Sequence, residues 1–166
     1  MASYEAKTKD NKCIFCEIVA GKLKAGIFWE DDEFMAFLTT YPSTEGFSCV
    51  VPKKHFGSDV LKIPDDVLQR FIIAAKKVTQ ILENYYDDVG RVGVMMEGLG
   101  IDHAHIKLIP LHGTEHLKRG EWKQFLSNKE FWFDKYEGYI SSADGPHVEP
   151  KKIWDLAEKI KKSQTA

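Results

Sequence analysis

Cysteine is scarce in this chain, three among 166 residues, and an odd number excludes a framework in which every cysteine is paired. Stability must come from a buried core, and the thiols fit a reducing compartment. No apolar run approaches the ~20 residues that span a bilayer. Residues 1–12 form a polar tail without the apolar stretch of a secretory signal. A cytoplasmic protein with no membrane contact is therefore expected. One sign of charge is not in excess either. With 23 basic and 25 acidic residues the formal net charge is −2, which gives no global pull toward polymeric nucleic acid, so any anion must be held locally.

What is present suffices for one globular domain: 166 residues, of which 43% are hydrophobic. Five strands are predicted, over residues 27–30, 33–38, 47–51, 91–96 and 104–110, the first two joined at Asp31 and Asp32. Between the third and fourth, from Pro64 to about residue 86, Val67, Leu68, Phe71, Ile72, Ala75, Val78, Ile81, Leu82 and Tyr85 recur at helical spacing. Pro64 suits a first helical turn, and Asp65 and Asp66 complement its positive end. A second helix is expected from Pro150, burying Ile153, Leu156, Ala157 and Ile160. The aromatic segment 121–135 would cover the core or a partner subunit, and residues 141–146 read as a turn-rich loop. Short hairpin links with one helical crossover argue for an α+β fold with a five-stranded, mainly antiparallel sheet, one long helix and a C-terminal helical extension.

Chemistry concentrates in two places. In His103-Ala-His105-Ile-Lys107, alternate residues of a strand would put His103, His105 and Lys107 on a shared surface able to attract an anion or hold a metal. Cys13 and Cys16 form a C-x-x-C pair, whose spacing serves a tetrahedral metal, a reversible redox couple or neither. Cys49 sits in an apolar run and reads as core. Of the six histidines, His112, His116 and His147 read as surface or hydrogen-bonded structural residues. His55 lies where a strand gives way to a loop. With Cys13, Cys16 and His103 it completes two thiolates and two imidazoles, a set suited to structural Zn²⁺.

Three motifs then stand in order: Cys13-Ile-Phe-Cys16-Glu-Ile-Val-Ala-Gly21, Val51-Pro-Lys-Lys-His55-Phe56 and His103-Ala-His105-Ile-Lys107-Leu-Ile109-Pro110. This ordered set resembles the histidine triad (HIT) superfamily of nucleotide hydrolases and transferases. The resemblance implies a HIT-like catalytic core over residues 13–112, with 113–166 packed on it as a C-terminal extension. It further implies a homodimer in which two sheets join, and zinc on Cys13, Cys16, His55 and His103. His105 would be the nucleophile, attacking the α-phosphorus of a nucleotide diphosphate, dinucleoside polyphosphate or nucleoside phosphoramidate. Water would then release a nucleoside monophosphate, or another acceptor would take the nucleotidyl group. The reading from a different class is a nucleotide-binding module with weakened chemistry.

Several residues bear on the ligand. Lys107 stands where the superfamily has its third histidine, exchanging a proton-sharing ring for an ammonium that would hold phosphate. Gly98 and Gly100 either bring backbone N–H groups to phosphate oxygens or simply make a tight turn. Phe28, Phe37 and Phe47 are read either as walls for a base or as core. Thr39 stands where an acidic ribose ligand is expected, and Met96 where relatives often carry asparagine.

Overall fold

A computed structural model describes residues 12–122 and 147–164. Among them the elements run α1 (Ile14–Val19), β1 (Gly26–Glu30), β2 (Phe34–Leu38), β3 (Ser48–Pro52), α2 (Asp65–Tyr85), β4 (Val89–Met95), β5 (Ile106–His112) and α3 (Pro150–Ser163). The five strands form one antiparallel sheet in the order β1-β2-β3-β5-β4. This is the expected α+β architecture. At the first hairpin, Asp31 Oδ1 accepts the N–H groups of Glu33 at 2.9 Å and Phe34 at 2.8 Å, a local turn bond that reverses the chain.

Period-two alternation gives the sheet two different faces. Phe28, Phe34, Ala36, Leu38, Val50, Ile106 and Leu108 face α2 and α3 and form the larger core. Helix α2 buries Phe71, Ala74, Ala75, Val78 and Leu82 there. Ile72, expected on that stripe, is exposed instead, because it lies about 100° around the helix from Phe71. Helix α3 contributes Ile153, Ala157 and Ile160. It closes onto β1 where Gly26 has no side chain: a Cβ there would stand 3.0 Å from Ile153 Cγ2.

The opposite face is covered by α1, a helix the sequence reading did not anticipate. Phe15 and Ile18 pack against Met35, Phe37, Cys49, Val51 and Ile101. The helix stops at Ala20 and Gly21: Gly21 N–H bonds the Ile18 carbonyl at 2.9 Å, and the φ of 69° at Gly21 turns Lys22 N–H back to the Glu17 carbonyl at 2.9 Å. A second difference concerns β5. It begins at Ile106, where the ladder to Val50 opens, so His103 and His105 lie on the approach to the strand rather than within it. There Ala104 N–H bonds the Phe56 carbonyl at 2.9 Å, which fastens the approach to the loop carrying His55.

Beyond Trp122, the aromatic segment 121–135 lies outside the described residues, as does the loop 141–146. Among the described residues no helix is long and apolar enough to cross a membrane.

Candidate functional site

Helix α1, the loop after β3 and the approach to β5 converge on one cluster. Cys13 is the residue that precedes α1 and Cys16 lies one turn on, so a C-x-x-C pair presents both sulfurs to the same side. His103 Nδ1 lies 3.5 Å from Cys13 Sγ, 3.5 Å from Cys16 Sγ and 3.3 Å from His55 Nδ1. Cys16 Sγ lies 3.4 Å from His55 Nδ1, and all four donor atoms fall within 4.8 Å of one another. A tetrahedral ion with metal–sulfur bonds of about 2.3 Å and metal–nitrogen bonds of about 2.05 Å separates sulfur from nitrogen by roughly 3.5 Å and nitrogen from nitrogen by roughly 3.3 Å. The four pairs just given stand close to those separations. His103 Nε2–H donates to the Pro52 carbonyl at 2.8 Å, which fixes the tautomer and turns the Nδ1 lone pair toward the sulfurs. Burial, followed by the neighbouring Cys13 sulfur, pushes the Cys16 thiol up to about 11, so capture of a cation there releases a proton.

His105 shares a peptide unit's width with this cluster. Its Nδ1–H donates to the His103 carbonyl at 2.8 Å, an acceptor that admits only the Nδ1–H tautomer and leaves Nε2 with a lone pair. Burial pulls the imidazole below its usual range, keeping the ring neutral near pH 7. Phe15 stands edge-on to both His103 and His105, with centroids 5.7 Å away in each case. The two histidines were expected on an open surface; they are instead 0% and 3% exposed, because α1 lies over them. Such a histidine, neutral and locked in one tautomer, is arranged as a nucleophile or base.

Comparison with known proteins decides the family: the HIT domain profile matches residues 20–117, more than half of the chain. The chain belongs to the HIT domain family. It is similar to an uncharacterized HIT-like protein of Methanocaldococcus jannaschii, 36% identical over 120 residues, which cover 67% of this chain and 89% of the relative. It is 30% identical over 110 residues to an adenosine 5′-monophosphoramidase of Candida albicans, covering 59% and 69% of the two chains. Among solved structures, a hypothetical histidine triad nucleotide-binding protein of Sulfolobus tokodaii superposes with a TM-score of 0.66 at 22% identity, covering 91% of both chains.

In this HIT protein the remaining predicted site residues fall in several places. Lys107, read from the sequence as a phosphate-binding cation, has its Nζ paired with the Glu97 carboxylate. Glu97 was not singled out from the sequence, and neither was Phe15, although it sits inside the C-x-x-C motif. Phe37 lies on the α1 side, 5.3 Å from Phe15 in an edge-to-face pair. Phe28 as a wall for a base is corrected: it is 1% exposed on the other face of the sheet, inside the core shared with α2 and α3. Phe47 is buried just before β3. Thr39 Oγ1 accepts the Tyr41 N–H at 3.1 Å, so this hydroxyl shapes a turn. Met96 packs against the α2-side core. Of the other histidines, His112 pairs with Asp88 at 3.0 Å, His116 is buried and His147 stands edge-on to Tyr41.

Gly98 and Gly100 take φ values of 67° and 89°. At Gly98 a Cβ would fall 2.8 Å from the Ser58 carbonyl oxygen, a backbone atom that cannot swing aside. Gly98→Ala is expected to destabilise the fold by about 2 kcal/mol, from the left-handed backbone alone and more from the clash. Urea denaturation checks this. An alanine variant as stable as the parent would show that the turn relaxes freely.

Proposed function

We propose that this HIT protein is a nucleotide hydrolase that works through a nucleotidyl-histidine intermediate on His105, with Lys107 at the third triad position. One observation carries the reading: His105 is buried and neutral, with Nδ1–H held by the His103 carbonyl, which leaves Nε2 as the nucleophile. The Nε2 lone pair forms a bond to the α-phosphorus of a nucleotide diphosphate, dinucleoside polyphosphate or nucleoside phosphoramidate. The bond to the leaving group breaks, and its electron pair departs with that group. A phosphate leaves as an anion; an amine takes up a proton from water. Water then adds to phosphorus, freeing His105 and a nucleoside monophosphate. This reading gives nucleoside recognition to the α1 side of the sheet, where Phe15 stands edge-on to both Phe37 and His105, and phosphate binding to Gly98 and Gly100.

The same reading assigns zinc to Cys13, Cys16, His55 and His103, since two sulfurs and two imidazole nitrogens within 4.8 Å of one another suit that ion. These four residues would hold it, and their shared ligation would tie α1 to the loops bearing His55 and His103. Residues 13–112 form the catalytic core and 113–166 its extension. The edge position of β4, with Val94 exposed, supports a homodimer joined sheet to sheet. An odd count of three cysteines supports a cytoplasmic setting.

The test is incubation of the full chain with adenosine and guanosine polyphosphates and phosphoramidates, followed by product analysis and intact mass. Nucleoside monophosphate together with a transient nucleotidyl adduct supports the hydrolase. Transfer to an added acceptor in preference to water supports a nucleotidyltransferase. Nucleotide binding with neither adduct nor product supports a binding module and overturns the proposal.

A further inference from the structure

A lysine standing unopposed beside a phosphate-attacking histidine would draw in polyphosphate tails. In this chain Lys107 Nζ holds the Glu97 carboxylate, and the two side chains are only 15% and 17% exposed. They come from different elements. Lys107 lies on β5, opposite Cys49 of β3 and Met95 of β4, and Glu97 lies in the turn that follows β4. At such low exposure, water and salt screen the pair weakly, so its field reaches its neighbours. Lys107 lies two residues beyond His105, on the strand that His105 leads into. The pair therefore adds orientation to the site without adding net charge.

We propose that Glu97 is a specificity-determining residue: by holding Lys107 it withdraws the attraction for a polyanionic leaving group and favours nucleotides whose leaving group carries little negative charge, such as the amine of a phosphoramidate. This rests on the reading of His105 as the residue that attacks the nucleotide. A diphosphate or dinucleoside polyphosphate brings further negative charge toward the Glu97 carboxylate, whereas an amine brings none. An ammonium has three N–H donors, so Lys107 offers a terminal phosphate those that Glu97 does not hold, while the carboxylate beside it repels the same phosphate. An amine leaving group meets no such repulsion.

The probes are adenosine 5′-phosphoramidate and adenosine 5′-diphosphate on the full chain. Binding is measured calorimetrically in a His105→Ala background, where nothing turns over, and kcat/KM is measured with His105 intact. Glu97→Gln keeps the shape and removes the charge. It is expected to raise the preference for diphosphate over phosphoramidate by about tenfold, the effect of one weakly screened charge. Lys107→Met is expected to lower the same ratio by a similar factor, which keeps the test available if one variant folds poorly. A ratio that neither substitution moves overturns the proposal, and so does a shift of the same sign in both. If the wild-type chain turns over neither substrate, the hydrolase reading falls, and the binding ratio still decides the role of Glu97.

Discussion

His105→Asn is expected to lower kcat by on the order of 10⁴-fold or more and to abolish the nucleotidyl adduct in intact mass spectra. The asparagine amide retains an N–H donor for the His103 carbonyl, so the variant keeps the local bond that His105 Nδ1–H makes at 2.8 Å. It lacks a nucleophilic nitrogen, because an amide lone pair is delocalised. Truncation to His105→Ala removes the same chemistry but also leaves a void against Phe15, and is expected to lose about 1–3 kcal/mol of stability besides. Comparing the two separates chemistry from folding. Activity within tenfold of wild type in His105→Asn would sink the assignment of the nucleophile.

The second large effect is expected at the metal cluster. Cys13→Ser should reduce bound zinc from about one equivalent per chain to a small fraction, read by elemental analysis after gel filtration. Structural zinc contributes on the order of 10 kcal/mol of apparent binding energy to folding, and a chain of this length loses about 2–4 °C in Tm per kcal/mol. A fall in Tm of 10 °C or more is therefore expected, and adding zinc should restore chelator-treated wild type but not Cys13→Ser. Turnover should fall with the metal, because the His103 whose ring faces the sulfurs is the same residue whose carbonyl holds His105. Equal metal content in the variant and wild type would remove zinc from these residues.

Much of the architecture could be read from local pattern. The apolar recurrence around Phe71, Val78 and Leu82 survives as the buried face of α2, since helical period depends only on neighbours three and four positions away. The hairpin at Asp31 was visible for a similar reason: a side-chain bond to the next turn is a local event. The metal ligands were legible as residue types and spacing, and the fold brings all four together. Helix α1 was not legible. Six residues with two buried side chains carry too little periodicity to distinguish a helix from a loop. Missing α1 concealed the burial of His103 and His105, because Phe15 of that helix packs edge-on against both rings. The pairing of Lys107 with Glu97 was hidden as well. It joins a strand residue to a turn residue ten positions earlier, and the bend between them belongs to tertiary structure. Which of its two readings, base wall or core, held for Phe28 was not legible, because β alternation says which residues share a face but not which face meets the long helix.

The separation between the sulfurs and their partners in the chain has a consequence during synthesis. Cys13 and Cys16 stand 90 and 87 residues before His103. At translation rates of about 5–20 residues per second, both thiols leave the ribosome on the order of ten seconds before the imidazole that completes their set. Closing so long a loop carries an entropic cost that a pre-formed sheet reduces by fixing one end. On the zinc reading proposed above, helix α1 is expected to dock late, with metal uptake as one of the last steps of maturation. Until then, on that reading, the nascent chain would carry a dithiol open to oxidation or to the wrong cation, an interval in which supply of the correct ion would decide how many chains mature.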